Sequence, residues 1–334
     1  MTTQAQTSLT QNVTALDGGD HVITAAFIGA HPVLALADGC VKIITDGQTH
    51  SLAPHTGAPV LLGCVAGDTL LTGGEDGKII ATSADGNLTE LADNKGRWVD
   101  ALVAGPAQSI AWSCGKSVFC RDGKGQIRTW EAPSSVRGLG FLPKGYRLAI
   151  AHYNGASLWF PNSEAKPESL DWKGSHLDLT VSPDGRFVVT SMQENTLHGW
   201  RLADKKDMRM SGYPSKVRSL SWSHDGQWLA TSGAEAAVIW PFKDKDGPMG
   251  KPPRECGVRP AKITQVAFHP KSLVLAIGYE DNCILLCRLT DAAELLVRRP
   301  VDGAGSITSM AWDGAGKRLI FGTSEGQAGL LTLP

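Results

Sequence analysis

Residues 215–240 read SKVRSLSWSHDGQWLATSGAEAAVIW, and the order of residue types in them is the basis for predicting the fold. Two short runs of β-prone residues flank an Asp-Gly turn at residues 224–226, and a third run ends at Trp240. Asp-Gly is typical of hairpin turns because glycine accepts a positive φ angle. The stretch therefore predicts three antiparallel strands over residues 217–223, 227–232 and 237–240.

The same order of residue types returns along the whole chain at intervals of about 40 residues. The first apolar residue of each copy defines eight copies, at Ile23, Val60, Val99, Val136, Leu177, Val217, Ile263 and Ile307. A weaker, more polar fourth run follows most copies. Repeats of this length with four strands each are typical of a β-propeller. We therefore predict an all-β protein forming a single closed β-propeller of eight four-stranded blades.

Seven blades are the alternative, if the weak copy around residues 89–124 packs differently. The last copy ends after its third strand, whereas the β-prone segment TSLTQNV at residues 7–13 belongs to no copy. We expect the N-terminal segment 1–14 to supply the missing outer strand, because this closure removes two open sheet edges. Residues 1–334 then form one domain, and residues 243–262 form a long, charged, proline-rich loop.

The composition restricts the class of protein. The net charge is -1, which gives no global basic field for nucleic acid. The N-terminus lacks the basic and apolar regions of a signal peptide, and no apolar run is long enough to span a bilayer. The odd number of irregularly spaced cysteines fits free thiols in a reducing compartment. We expect a cytoplasmic protein that contacts neither nucleic acid nor membrane, with a nuclear location left open for a eukaryotic protein.

The copies resemble the WD40 repeat family over about residues 21–334. The pattern V-x-x-L-x-W-S-x-D-G stands at residues 217–226, and V-S-P-D-G stands at residues 181–185. A closing tryptophan occurs in three copies, although the aspartate that usually follows it is absent. The resemblance implies a propeller that serves as a platform for protein interactions. It also implies a buried hydrogen-bond network of His176, Trp200 and a hydroxyl from either Thr190 or Ser191.

Enzymatic chemistry has little support in the sequence. A histidine, a hydroxyl and an acid invite a hydrolase interpretation, but no G-x-S-x-G nucleophile elbow exists. No phosphate-binding, zinc or calcium spacing appears either. We predict no catalytic residue, no cofactor and no metal site, while a metal site assembled from distant histidines stays open.

Aligning the copies isolates one position for partner binding, the residue directly after each first apolar residue. Four successive copies carry charged residues there, namely Asp100, Arg137, Asp178 and Arg218. In a propeller this position lies at the mouth of the central channel, so the charges either form salt bridges between blades or bind a partner. Three residues that precede the first strand of their copies are added as candidate contacts, Trp98, Lys216 and Lys262.

Two functions follow from these observations. The first is a non-catalytic scaffold that binds another protein or peptide through its loop face and is monomeric outside its complex. The second is a propeller enzyme or metal-binding protein with a site at the channel mouth, for which Asp100, Asp178 and His21 are the nearby candidates.

Overall fold

A computed structural model describes residues 8–334 of the chain. Within these residues the chain is built from β-strands, and its helical turns are two 3₁₀ turns at Thr10–Asn12 and Pro106–Gln108. The strands form seven sheets. The chain divides into two compact units, the first formed by residues 8–36 and 218–334 and the second by residues 37–217. No helix in the described part is long and apolar enough to cross a bilayer.

In chain order the first fifteen strands are β1 (Val13–Asp17), β2 (Val22–Ile28), β3 (His31–Leu36), β4 (Val41–Thr45), β5 (Gln48–Leu52), β6 (Val60–Ala66), β7 (Thr69–Gly74), β8 (Lys78–Ser83), β9 (Leu88–Asp93), β10 (Ala101–Ala104), β11 (Ile110–Cys114), β12 (Ser117–Arg121), β13 (Ile127–Glu131), β14 (Gly138–Phe141) and β15 (Leu148–Trp159). The remaining strands are β16 (Glu168–Val181), β17 (Phe187–Met192), β18 (Leu197–Arg201), β19 (Lys206–Met210), β20 (Leu220–Trp222), β21 (Trp228–Thr231), β22 (Ala237–Pro241), β23 (Arg254–Cys256), β24 (Ile263–Phe268), β25 (Val274–Tyr279), β26 (Ile284–Arg288), β27 (Glu294–Arg298), β28 (Ile307–Trp312), β29 (Arg318–Thr323) and β30 (Gln327–Thr332).

The second unit contains two four-stranded sheets and one six-stranded sheet. The four-stranded sheets run β6-β7-β8-β9 and β10-β11-β12-β13, and the six-stranded sheet runs from β14 to β19 in order. The antiparallel pair β4–β5 also belongs to this unit. Each four-stranded sheet corresponds to one sequence copy, as the repeat predicts.

The prediction of eight separate four-stranded blades is wrong in part, because the sheets number seven, which was the alternative. The departure does not fall at residues 89–124, where β10 to β13 form a regular sheet. It falls between the fourth and fifth copies, which share the six-stranded sheet. The two copies join because β16 runs for 14 residues, from the outer strand of the fourth copy into the first strand of the fifth. Strand β15 pairs with β16 from Leu158–Glu168 to Tyr153–Ser175, with a register shift between Tyr153 and Gly155.

The first unit contains three four-stranded sheets and the antiparallel pair β2–β3. Two of the sheets run in chain order, β20 to β23 and β24 to β27. The third runs β1-β30-β29-β28, so the N-terminal strand supplies the outer strand of the last copy, as predicted.

The bounds of the predicted closing strand were wrong. The strand covers Val13–Asp17, and Val13 faces Leu331. Residues 8–12 precede it, with the Leu9 N–H donating to the carbonyl of Leu296 at 2.7 Å and the Leu9 side chain buried. Residues 1–7 of the predicted segment lie outside the described residues.

The Asp-Gly turns are held by local hydrogen bonds. In the quoted stretch, Asp225 accepts from the Ser223 hydroxyl at 2.5 Å and from the Gln227 N–H at 3.0 Å. Gly226 has a φ of 67°, which only glycine adopts at low cost. The turn therefore forms where the sequence predicts it, because the hydrogen bonds of Asp225 and the positive φ of Gly226 favour the same conformation.

A β-bulge recurs at the start of the first strand of five copies. The register shifts one residue after Val22, Val60, His176, Ile263 and Ile307. The residue after each of these therefore occupies the bulge. Val22 and His176 hold the position that sequence alignment gave to Ile23 and Leu177, so the alignment was one residue late in the first and fifth copies.

The segment 243–262 is not wholly a loop. It contains β23, which pairs with β22 as the outer strand of its sheet, and it buries Cys256. The four prolines concealed this strand from the sequence pattern, since proline is rare within sheets.

The apolar cores lie between neighbouring sheets within each unit. One core of the second unit joins Ala111 and Val118 from β11 and β12 to Leu148 and Ile150 from β15. In the first unit, Leu9 packs in a cluster with Ile284, Leu319 and other apolar residues. Most of these residues are less than 2% exposed. Because many strands are buried on both faces, apolar and polar residues alternate only partially along the sequence.

Candidate functional site

In the second unit, one edge of each sheet carries most of the predicted contact residues. Strands within a sheet are antiparallel, so the segment before the first strand and the turn between the second and third strands lie at the same edge. We call the part of this edge around β10 to β15 the aromatic edge. It is defined by Trp98, Lys116, Arg137 and Tyr153.

Trp98 projects from a fixed loop. Its side chain is 56% exposed, while the next residue, Val99, is buried. On the other side, the Arg97 guanidinium donates to the carbonyl of Cys114 at 2.5 Å and to the Ser117 hydroxyl at 3.0 Å. The Gly96 N–H donates to the carbonyl of Asp76 at 2.9 Å. The ring is therefore presented to solvent by a backbone that neighbouring turns hold in place.

Asp100 and Arg137 lie together, on the first-strand ends of two successive copies. The Arg137 Nη2 is 4.0 Å from the Asp100 Oδ1, and the Arg137 side chain is 65% exposed. The other oxygen of Asp100 accepts from the Gly115 N–H at 2.7 Å. This pair is the predicted salt bridge between copies, and Arg137 keeps most of its guanidinium open to solvent.

Tyr153 is a second exposed aromatic residue that sequence reasoning missed. Its side chain is 58% exposed. Its N–H donates to the Ser134 hydroxyl at 2.8 Å, and its carbonyl accepts from His152 Nδ1 at 2.9 Å. The segment that contains Ser134 also bonds to the turn beneath Arg97, through the Val136 N–H and the Gly115 carbonyl at 2.8 Å. The sequence signal was weak, since Tyr153 continues the largely apolar run of β15, whose preceding five residues are all buried.

A small cavity of about 320 Å³ opens beside Tyr153. It lies where β15 and β16 join the fourth and fifth copies. Charged and apolar side chains line it together, namely Tyr153, Trp172, Lys173, Met192, Glu194 and Arg209. The aromatic edge therefore combines exposed rings, a free guanidinium and a recess.

Asp178 lies on the first strand of the fifth copy but not at the position of Asp100 and Arg137. Because of the bulge after His176, Leu177 holds that position, and Asp178 pairs with Ser191. The Asp178 side chain reaches solvent, but the protein atoms around it desolvate the carboxyl and raise its pKa above the ordinary range. Its Oδ1 accepts from the Leu179 N–H at 2.7 Å.

The other predicted contact residues are divided between the units. Lys216 is half-buried in the second unit. Arg218 and Lys262 are exposed in the first unit, where the Lys262 N–H donates to the Glu280 carboxylate at 3.0 Å.

The predicted network around His176 is partly wrong. His176 Nδ1 lies 2.7 Å from the Thr190 hydroxyl, which donates to the carbonyl of His198 at 3.1 Å. Ser191 Oγ and Trp200 Nε1 have no hydrogen-bond partner among the described residues. The hydrogen bonds therefore run from His176 through Thr190 to the backbone of β18 and do not reach the Trp200 indole. Because the Thr190 hydroxyl donates to a backbone carbonyl inside the core, its role is structural.

His198 is a buried histidine in the same region. Its ring stacks on Trp172 with centroids 4.0 Å apart, and desolvation lowers the pKa of His198 to about 4. The closest acid, Asp207, is 3.5 Å from Nε2. Desolvation also lowers the pKa of His176. Both rings are therefore neutral near pH 7.

A network with a full set of partners occurs in the second copy, where it was not predicted. His55 is fully buried, with Nδ1 3.0 Å from the Asp76 carboxylate and Nε2 2.9 Å from the Thr72 hydroxyl. Thr72 donates in turn to the carbonyl of Ile80 at 3.4 Å. Asp76 belongs to an Asp-Gly pair, so the sequence predicted a turn at this position but not a hydrogen bond to His55.

In the first unit, hydroxyls hold neighbouring first strands together. The Thr264 hydroxyl donates to the carbonyl of Ile307 at 2.6 Å, and the Thr308 hydroxyl donates to the carbonyl of Val22 at 2.6 Å. Thr264 and Thr308 occupy the aligned position that Asp100 and Arg137 hold in the second unit, directly before β10 and β14. The position singled out by sequence is thus a place where copies contact one another.

The remaining reactive side chains are largely buried. The seven cysteines are free thiols, and burial raises the pKa of Cys114 and that of Cys283 to about 11. Cys283 and Cys287 are fully buried, as predicted for small packing residues. Across residues 8–334, no group of three or more His, Cys, Asp or Glu side chains is placed to hold a metal ion.

Comparison with known proteins finds WD40 repeats in two parts of this chain. Residues 266–333 match the model of the anaphase-promoting complex subunit 4 WD40 domain, and residues 205–240 match the model of the WD domain, G-beta repeat. Actin-interacting protein 1 of Drosophila melanogaster is 21% identical over 315 residues, covering 90% of this chain and 49% of the fly protein. Echinoderm microtubule-associated protein-like 1 of Homo sapiens is 22% identical over 261 residues, covering 69% of this chain and 32% of the human protein. The chain thus spans half or less of the length of these relatives.

Solved structures agree on the fold. The C-terminal WD40 domain of Sif2 matches with a TM-score of 0.76 at 12% identity, covering 96% of this chain and 98% of that domain. The computationally designed Ika8 protein matches with a TM-score of 0.77 at 17% identity, covering 95% and 98% of the two chains. The predicted all-β propeller class is confirmed, and the chain contains WD40 repeats, which family models match over two parts of its length.

Proposed function

We propose that this protein is a non-catalytic scaffold that binds another protein through the aromatic edge of its second unit. One observation carries the proposal: Trp98 is 56% exposed although both its neighbours are fixed. A large ring held in one place loses little conformational entropy when a partner covers it. Trp, Tyr and Arg are also the residues that dominate binding energy at protein interfaces.

The charges of the edge favour a partner segment with a carboxylate. The Arg137 guanidinium is 65% exposed and pairs with Asp100 only at 4.0 Å, so it can form a closer, bidentate pair with an incoming acid. Arg218 and Lys262 of the first unit, together with Lys216 and Asp178, are kept as further candidate contacts.

The test compares partner capture by three forms of the full chain in cells of its source, followed by quantitative mass spectrometry. Trp98→Ala combined with Arg137→Ala is expected to reduce captured partners by more than about tenfold, given losses near 2 kcal/mol for one hot-spot residue. Leu88→Ala is the matched control, because it removes an exposed apolar side chain from an outer strand of the same unit. Equal capture by all three forms, with equal thermal melting, would remove the edge as the binding surface.

The names of two relatives suggest specific partners to test. One relative is named for interacting with actin and another for association with microtubules. Cosedimentation of the purified chain with actin filaments and with microtubules is a direct measurement. Binding to either that depends on Trp98 and Arg137 would identify the partner class of the proposed surface.

A further inference from the structure

A large cleft lies in the second unit, away from the aromatic edge. Its volume is about 1010 Å³. Its walls are the 106–109 turn between β10 and β11, the 122–126 turn between β12 and β13, the outer strand β13 and the 161–167 loop between β15 and β16. These connections lie at the sheet edge opposite Trp98, because successive strands alternate in direction. We call it the 106–167 cleft.

The floor of the 106–167 cleft is aromatic. Trp130 and Trp159 stack with ring centroids 6.3 Å apart, and Trp159 is buried while Trp130 is half-buried. Tyr146 also lines the cleft, with its hydroxyl 3.3 Å from Cys120 Sγ. The exposed part of Trp130 gives a bound side chain a flat apolar surface on which to pack.

The 161–167 wall is fixed at both ends. The Arg147 guanidinium lies 4.9 Å from the centre of the Phe160 ring and 3.0 Å from the Glu168 carboxylate. Pro161 and Pro167 restrict the backbone at the two ends of the loop. The cleft is therefore formed before any partner arrives.

The 106–109 wall and the floor of the cleft both contain residues in an unfavourable backbone conformation. Ala107 and Gln108 have φ angles of 52° and 59°, and Tyr146 has a φ of 41°. Non-glycine residues in this region cost about 1–3 kcal/mol each, and such residues cluster at functional sites. All three of them line the cleft.

The charges around the cleft are mainly positive. Lys124, Arg128 and Lys166 are exposed, and no carboxylate pairs with them among residues 8–334. Of the two acids in the lining, Asp122 is occupied in accepting the N–H groups of Lys124 and Gln126, both at 2.9 Å. The lining thus presents three cations against two carboxylates, one of which already accepts backbone hydrogen bonds, and this positive excess favours an acidic ligand.

We propose that the 106–167 cleft is a second docking site that binds an extended acidic segment of another protein. Strand β13 is the edge of its sheet, so its outer backbone groups can pair with an added peptide strand. A nucleic acid has no backbone N–H and C=O groups to complete a sheet, and three cations are few for a phosphate track. This site is independent of the proposed aromatic-edge function.

The test screens a displayed library of random twelve-residue peptides for binding to the full chain. We expect the enriched peptides to carry a net negative charge. They should bind the triple variant Lys124→Glu/Arg128→Glu/Lys166→Glu at least tenfold more weakly than the original chain. The three side chains are exposed, so these charge reversals leave the core intact. Binding to Trp98→Ala/Arg137→Ala should be unchanged, which separates this site from the aromatic edge.

Three results overturn the proposal. They are a selection that enriches no peptide, enriched peptides that bind the charge-reversed chain equally well, and a labelled twelve-nucleotide oligouridylate that binds the cleft more tightly than the enriched peptides do. The last result would assign the cleft to single-stranded nucleic acid.

Discussion

His55 Nδ1 lies 3.0 Å from the Asp76 carboxylate, inside a core where His55 has no exposed surface. A Cβ on Gly74 would lie 2.3 Å from the same nitrogen and 2.4 Å from the carboxylate, so only glycine fits between the strand and the pair. The pair links the segment before β6 to the turn between β7 and β8. It fixes the base of the loop that presents Trp98, because the Asp76 carbonyl accepts from the Gly96 N–H.

Replacing Asp76 with Ala should lower the free energy of unfolding by about 2–4 kcal/mol, since the substitution leaves the buried Nδ1 of His55 without its hydrogen-bond partner. Urea denaturation measures the change. Asp68→Ala, which removes an exposed carboxylate from a turn of the same sheet, should stay within about 0.5 kcal/mol. Equal effects of the two substitutions would contradict a structural role for the His55–Asp76 pair.

The buried His198 should make the free energy of unfolding decrease at acidic pH. Its pKa in the folded protein is about 4, below the ordinary value of 6.5, so the unfolded chain binds more protons between these values. The contribution is complete above pH 6.5 and is lost as the pH falls toward 4, by up to about 3 kcal/mol. His198→Phe should flatten this part of the stability–pH curve.

The curve is measured by urea unfolding at pH 4.5 and pH 7.5. His50→Phe is the matched control, because His50 is exposed on an outer strand and its replacement should leave the slope unchanged. If His198→Phe keeps the slope of the original chain, burial of this ring is not the cause of acid sensitivity.

Leu9 should anchor the N-terminal strand. The side chain is 3% exposed and packs against apolar residues of the last two copies, so Leu9→Ala should cost about 2–4 kcal/mol of docking energy for this segment. Hydrogen exchange followed by mass spectrometry should show faster exchange across Val13–Asp17. Thr14→Ala changes only an exposed side chain and should exchange as the original chain does.

Ala107→Gly should stabilise the protein by about 0.5–1 kcal/mol, because glycine adopts a φ of 52° without the cost that alanine bears. Thermal melting measures the gain. Ala165→Gly, in the facing loop and without a positive φ, should be neutral or slightly destabilising. A loss of stability in Ala107→Gly would show that the turn is not strained.

Much of the strand pattern could be predicted from local residue types. Runs of β-prone residues, Asp-Gly turns and polar outer strands such as Gln48–Leu52 are encoded within a few residues of one another. The N-terminal strand was predicted because it was the one unassigned β-prone segment that could complete the last copy. Outer strand β23 was missed because its local sequence is dominated by prolines and charges.

The candidate site was predictable only in part. Trp98, Asp100 and Arg137 stood out because the repeats aligned them, and the structure brings Asp100 and Arg137 to 4.0 Å. Asp178 was misaligned because the fifth copy has the polar His176 where the other copies have an apolar residue, so the alignment began one residue late at Leu177. The exposure of Tyr153 depends on which segments pack around this part of β15, and the local sequence does not encode that packing.

The repeat, most strands within each copy and the WD40 resemblance were predictable from the residues alone, because these features depend on short-range propensity and periodic apolar residues. Three features became visible only in the folded protein. The fourth and fifth copies share one sheet, His55 and not Trp200 belongs to the network with a full set of partners, and a basic cleft opens between β13 and the 161–167 loop. These features depend on contacts between segments that are far apart in the chain. Packing decides which hydrogen bonds form and which space stays open, so the local sequence does not encode them.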